Sequence, residues 1–184
     1  MNLENAIRGA RNPMNSWDKM DSKIYYDVDF VMGEADHKLM TSLAKGGAVH
    51  AKYRRMIPVW VTINAPLYWW KEFDTYKVGT VANSCSTMHK IHDKEFEVDD
   101  FSYEHLHDEA YDALTGVIYV LNDFRRRFIQ RKDKSDWWQM IQLLPSSYNQ
   151  KRTVMLNYEV LVNIYHSRKN HKLDEWHTFC DWIR

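Results

Sequence analysis

Residues 57–90, IPVWVTINAPLYWWKEFDTYKVGTVANSCSTMHK, decide how this chain folds. Ile57, Val59, Val61 and Ile63 alternate with Pro58, Trp60, Thr62 and Asn64, the period of two expected of a half-buried strand. Pro66 suits the first helical position, where its missing N–H has no intrahelical partner to lose. From Leu67 to Lys77 neither Gly nor Pro intervenes, and Leu67, Trp70, Phe73 (or Asp74) and Lys77 recur at helical spacing. Gly79 lets the chain turn without a Cβ penalty. Thr80, Asn83, Ser84, Cys85, Ser86 and Thr87 then offer short polar side chains at the end of a rigid element, a place suited to holding a ligand.

Outward from this stretch the pattern is mainly helical. Asp36 to Lys45 reads as a helix ended by Gly46-Gly47, and residues 1–24 read as an irregular polar arm or short strand. Residues 91–102 are acidic and carry no periodic signal. Leu106 to Ile129 is the strongest helix: Leu106, Ala110, Leu114, Val117, Leu121, Phe124 and Phe128 build one apolar stripe. Arg125, Arg126 and Arg127 favour the negative pole at its end. Further helices are expected over Ser135 to Leu144, Thr153 to Arg168 (with an extended start) and Leu173 to Ile183. The expected class is α+β, mostly helical with a small antiparallel sheet.

With 184 residues and 45% hydrophobic content, a single domain over 1–184 has material for a sizeable core. Lys plus Arg balance Asp plus Glu at 25 each, so the basic excess usual for a nucleic-acid binder is missing. Eight Trp and eleven Tyr point to a dense core, a stacking pocket or a subunit interface. The first residues contain no apolar h-region, and no run approaches the roughly 18 apolar residues of a membrane span. Cys85 and Cys180 form neither a metal-ligand spacing nor a disulfide framework, which suits a cytoplasmic protein with reduced thiols.

The order of these parts resembles the flavin-dependent thymidylate synthases over about residues 36–180. Ala65-Pro66-Leu67-Tyr68 stands where that family has APxF, and Lys71-Glu72-Phe73 where it has Arg-Gln-Trp. Thr75-Tyr76-Lys77 then falls on the R-H-R of R-H-R-x-x-S-x-N-E-x-S-x-R, and Thr80 on its first serine. Without a gap, Ala82-Asn83 replace Asn-Glu, Cys85 the second serine and Thr87 the last arginine. Sliding by one residue matches Asn83 and Ser86 instead and leaves Met88 at the arginine. A later block, LP…T…N-x-R-x-L-x-x-F-x-x-L-R, is echoed by Leu144-Pro145, Thr153, Asn157, Leu161, Asn163 and Arg168.

The resemblance implies a nucleotide site formed by Arg168, Lys77, Asn83, Cys85, Ser86 and Thr87. It also implies FAD contacts from Asn157, Asn163, Tyr76, Thr80 and His50, and a homotetramer whose pockets form where subunits meet. Against the family, Thr75-Tyr76-Lys77 keeps one point charge and no bidentate fork. Two readings follow. One is a small-molecule nucleotide binder, of phage or bacterial type, that holds its ligand without turnover. The other is an enzyme that methylates dUMP with a folate carbon and a flavin hydride, in which the flavin carries the hard step and no protein nucleophile is needed.

Each singled-out residue has a plainer role beside the functional one. Arg168 and Lys77 read equally as helix-end cations; Asn157 and Asn163, set among apolar residues, read as ligand contacts or as caps. Cys85 lacks a nameable activating base, and a packed thiol is the plainer reading. His89, His92, His105 and His107 lack a completing carboxylate, so no metal is assigned. Trp69-Trp70 and Trp137-Trp138 can each offer at most one ring to a ligand, because adjacent side chains diverge.

Overall fold

The computed structural model describes residues 3–26 and 29–184. In chain order its helices and strands are α1 (Leu3–Arg11), β1 (Lys23–Tyr25), β2 (Asp29–Val31), α2 (Glu34–Lys45), β3 (Pro58–Pro66), α3 (Leu67–Phe73) and β4 (Val81–Ser84). There follow α4 (Thr87–Lys90), α5 (Asp108–Arg131), α6 (Lys134–Leu143), β5 (Asn149–Asn157), α7 (Tyr158–Arg168) and α8 (Asp174–Ile183). Strands β1 and β2 form an antiparallel ribbon, and β3, β5 and β4 form a sheet in that order. The α+β class with small antiparallel sheets is what the sequence led one to expect. Among the described residues no helix is long and apolar enough to cross a membrane.

Two compact units divide the chain. The first comprises residues 1–61, 76–81 and 155–184; the second comprises residues 62–75 and 82–154.

In the first unit, Ala6, Ile7, Met40, Ala51, Tyr53 and Ile57 form a buried core, with Leu3, Ala10 and Leu43 against it. This corrects the expectation of an irregular arm over residues 1–24. Leu3, Ala6, Ile7 and Ala10 recur at three- and four-residue steps, which gives α1 an apolar face despite its polar composition. A buried ion pair ties α1 to α2: Arg11 Nη2 lies 2.5 Å from Asp36 Oδ1, with the two side chains 4% and 0% exposed. Asp36 also accepts hydrogen bonds from the backbone N–H of Asp21 and Ser22, at 3.1 and 2.8 Å. Asp21 in turn accepts from Ala35 and Asp36 N–H, satisfying free donors at the start of α2. Gly47, at φ +86°, carries the chain away from α2.

In the second unit, Leu114, Ile118, Leu121 and Met140 of α5 and α6 pack with Ile91, Phe96 and Phe101. Residues 91–101 therefore belong to a core, although no periodicity announces it. Three apolar anchors spaced five residues apart fasten an otherwise acidic loop. The buried Asn122 amide fixes that loop, accepting from Phe96 N–H and donating to Phe96 C=O, both at 2.9 Å. Helix α5 begins later than expected, so Leu106 lies before it and is 41% exposed. Arg125 caps the His92 carbonyl at 3.0 Å, and Arg126 and Arg127 pair with Asp123.

The opening stretch forms as its alternation requires: Val59, Val61 and Ile63 are half-buried while Trp60, Thr62 and Asn64 are exposed. Pro66 sits one place earlier than expected, as the extended residue before α3, and α3 stops at Phe73 rather than continuing to Lys77. Trp69 and Trp70 are both fully buried, so neither is presented to a ligand.

Burial raises the Asp36 carboxyl, but the hydrogen bonds from Ser22 and Arg11 outweigh it and hold the group below its ordinary value. A depressed carboxylate contributes stability above its unfolded pKa of about 3.9 and loses it as pH falls through the lower folded value. Arg11→Met is expected to cost about 3–5 kcal/mol at pH 7 by leaving Asp36 buried without its counter-ion. It should also flatten the loss of stability below about pH 4. Urea midpoints across that range check both, and equal midpoints would show that the pair contributes nothing.

Candidate functional site

In the first unit, helix α7 and the turn before β4 bring Tyr76 and Arg168 together. Arg168 Nε–H donates to the Tyr76 hydroxyl at 2.9 Å, and its guanidinium lies 4.8 Å from the Trp176 ring centre. Tyr76 meets Trp176 edge to face, with ring centres 6.1 Å apart. Asn157 is the N-cap of α7, its Oδ1 accepting from Val160 N–H at 3.1 Å. Gly79, at φ +77°, lets the backbone pass so close to Asn157 that an added Cβ would stand 2.9 Å from Nδ2. Thr80 Oγ1 donates to the Tyr76 carbonyl. Asn163 is exposed on α7, which corrects its placement among buried apolar groups; Lys77 and His50 are exposed as well. The apolar residues that flank Asn163 in sequence turn inward, with Val160, Leu161 and Ile164 buried.

In the second unit, the residues after β4 line a cleft of about 350 Å³. Cys85, Ser86 and Thr87 supply one wall, while Asn83 is exposed on β4 outside it. Lys90, Lys94 and Lys151 line the cleft as well, three basic residues against the one acidic residue Asp100. Asn64, Tyr148, Asn149 and Gln150 add polar groups, and Phe96 and Ile91 an apolar floor. The Ser86 hydroxyl accepts from His89 N–H at 3.1 Å, which leaves its own O–H as a donor.

The wall is held by buried polar contacts. Trp70 Nε1–H donates to the Gln150 carbonyl at 2.8 Å, and Gln150 Nε2–H donates to the Cys85 carbonyl at 2.9 Å. Cys85 N–H in turn bonds the Lys151 carbonyl at 2.9 Å. Arg152 donates to Gln150 Oε1, pairs with Asp74 at 3.0 Å and lies 4.4 Å over the Trp70 ring.

Two groups in the cleft are shifted. The hydrogen bond from Lys94 to Asp100 outweighs desolvation and raises the Lys94 ammonium, so it stays charged. Burial, then the Asp100 charge, raises the Tyr148 phenol, so it stays a hydroxyl.

Cys85, Ser86 and Thr87, singled out in the sequence, line this cleft, as do three lysines that the sequence reading did not single out. Lys90 and Lys94 stand four residues apart just after the quoted motif, and Lys151 follows Leu144-Pro145 within the second block. That pattern was visible, but only folding shows that the two segments face one cleft. Among the described residues no group of three or more His, Cys, Asp or Glu side chains is gathered to hold a metal ion.

No protein-family model matches the chain, and no curated protein matches it. Solved structures do. A flavin-dependent thymidylate synthase ThyX from Helicobacter pylori, complexed with FAD and dUMP, superposes with a TM-score of 0.69. It is 15% identical over 98% of this chain and 87% of its own. A UMP/dUMP methylase PolB from Streptomyces cacaoi, bound with 5-Br dUMP, gives a TM-score of 0.59 at 13% identity. That match covers 87% of this chain and 70% of the methylase.

Gln150→Leu should cost about 1–3 kcal/mol in urea unfolding, because the Cys85 carbonyl and Arg152 Nε–H lose a buried partner. A neutral result would mean that water or a shifted neighbour satisfies both.

Proposed function

We propose, from the fold that this chain shares with flavin-dependent thymidylate synthases, that it binds a nucleotide and holds it without turnover. The observation that carries this reading is the cleft of the second unit. Three lysines, Lys90, Lys94 and Lys151, line it together with Ser86, Thr87, Tyr148 and Phe96. Ammonium and hydroxyl donors suit a phosphate, and an aromatic face suits a base. Asn64 and Asn149 are the amides at hand for a base edge, since Gln150 is taken up by Cys85 and Arg152. The structural neighbours solved with dUMP and 5-Br dUMP favour a uridine nucleotide over other classes.

Arg168 and Lys77 lie in the first unit and Asn83 is exposed on β4, so none of the three lines this cleft. The Arg168 Nε–H goes to the Tyr76 hydroxyl. A cytoplasmic homotetramer is the assembly and setting that go with this reading, and light scattering on the purified protein checks the first.

A second reading, a flavin enzyme that methylates dUMP, is favoured by the FAD in the Helicobacter pylori neighbours. The residues assigned to flavin fit it poorly. Asn157 caps its own helix, Thr80 donates to Tyr76 C=O, and Tyr76 takes the Arg168 bond. Thr75-Tyr76-Lys77 offers one ammonium to a diphosphate that needs several donors. Asn163, His50 and Lys77 are exposed, yet none supplies a fork. No chemical step is therefore derived through the flavin.

Mass spectrometry of the small molecule released by acid denaturation, with an absorption spectrum taken first, separates the two. A non-flavin nucleotide supports binding without turnover. Released FAD from a yellow protein, with turnover of dUMP, would overturn it in favour of the enzyme. Ser86→Ala is expected to weaken dUMP binding by about 1.5–3 kcal/mol in calorimetry. Unchanged affinity in a folded variant removes Ser86 from the site.

A further inference from the structure

Lys94 and Asp100 both line the cleft and are paired with one another. Lys94 Nζ lies 2.5 Å from Asp100 Oδ1. Asp100 is the more buried partner at 16% exposed, against 63% for Lys94, so the carboxylate is fixed and the ammonium sits at its mobile end. The fixing has a visible cause. Asp100 Oδ2 accepts from Glu97 N–H at 3.0 Å, closing the 3₁₀ turn Val98–Asp100, and Phe101 beside it is 1% exposed and bridged to Tyr148. The other cations differ. Lys90 pairs with Asp93, outside the cleft lining, at 2.9 Å, and the Lys151 ammonium has no ion-pair partner among the described residues.

We propose that Asp100 is a built-in competitor for the anionic part of the ligand: it holds Lys94 in the ligand-free cleft, and an arriving phosphate takes Lys94 over. The proposal rests on the nucleotide reading of the same cleft and adds its regulation. An anchored carboxylate facing a flexible four-carbon stem makes Lys94 a cation that can change partners without backbone movement. The exchange is one ion pair for another, so the gain per phosphate is less than three unpaired lysines would give. Small neutral or weakly anionic molecules cannot displace Asp100, which confines tight binding to dianionic groups. A carboxylate near the phosphate also lowers the site's excess charge, so binding falls less steeply with salt than three unpaired lysines would make it.

The test titrates wild type, Asp100→Asn, Lys94→Gln and the double variant with dUMP and, separately, with inorganic pyrophosphate. Asn at 100 keeps an oxygen for Glu97 N–H, and thermal melts confirm folding. Asp100→Asn is expected to tighten both probes about three- to tenfold at low salt. Lys94→Gln should weaken them, and in its background Asp100→Asn should gain much less. If Asp100→Asn binds dUMP no better than wild type, or gains equally with and without Lys94, the competitor is overturned while nucleotide binding stands. Pyrophosphate that tightens in Asp100→Asn while dUMP never binds would support the competitor and sink the nucleotide reading. Binding of neither probe to any variant overturns both. Should Asp100→Asn fail to fold, Lys94→Gln decides: unchanged affinity for both probes overturns the proposal.

Discussion

The second unit depends on how one buried side chain is satisfied. Gln150 is 8% exposed, and a buried amide without partners would cost more than most single contacts return. Its carbonyl oxygen takes Arg152 and its nitrogen reaches the Cys85 carbonyl, while its backbone carbonyl takes the Trp70 indole. Strand β5, the segment after β4 and helix α3 are thereby fixed to one another through a single residue. The lining from Cys85 to Thr87 is placed by this network and by the Cys85–Lys151 backbone bond, and not by its own small side chains.

The same logic separates structure from chemistry in the first unit. Most of the polar groups that a flavin reading would use are already committed within the chain. The Asn157 cap stabilises the first turn of α7, whose Val160, Leu161 and Ile164 are buried. Tyr76 and Trp176 flank Arg168 as aromatic faces flank a cation. The result is an ordered cluster in which a guanidinium is positioned by rings.

The cleft replaces rigid forks with point charges. A guanidinium pre-orders two parallel donors for a phosphate, whereas an ammonium on four carbons gives charge without orientation. For a phosphate held there as proposed, orientation would come from the hydroxyls and amides of the wall, and selectivity from the balance between three lysines and the single carboxylate in the lining.

The sequence by itself determined the strand-to-helix core of residues 57–73, the stripe of α5, the helices near the C-terminus, and through their order the likeness to thymidylate synthases of the flavin type. Each of these rests on local periodicity or on a short motif, which survive in a single sequence. Cys85, Ser86 and Thr87 stood out in it as well, because small polar residues after a turn are a local signal. Helix α1 was legible in Leu3, Ala6, Ile7 and Ala10 but hidden by polar composition. Only the tertiary structure decided the rest: that Ile91, Phe96 and Phe101 anchor an acidic loop, that Asn163 faces solvent, and that Lys151 meets Lys90 and Lys94 across a cleft. Those facts depend on contacts between segments distant in sequence, 26 residues apart for Asn122 and Phe96 and 65 for Gln150 and Cys85, and no local pattern encodes them.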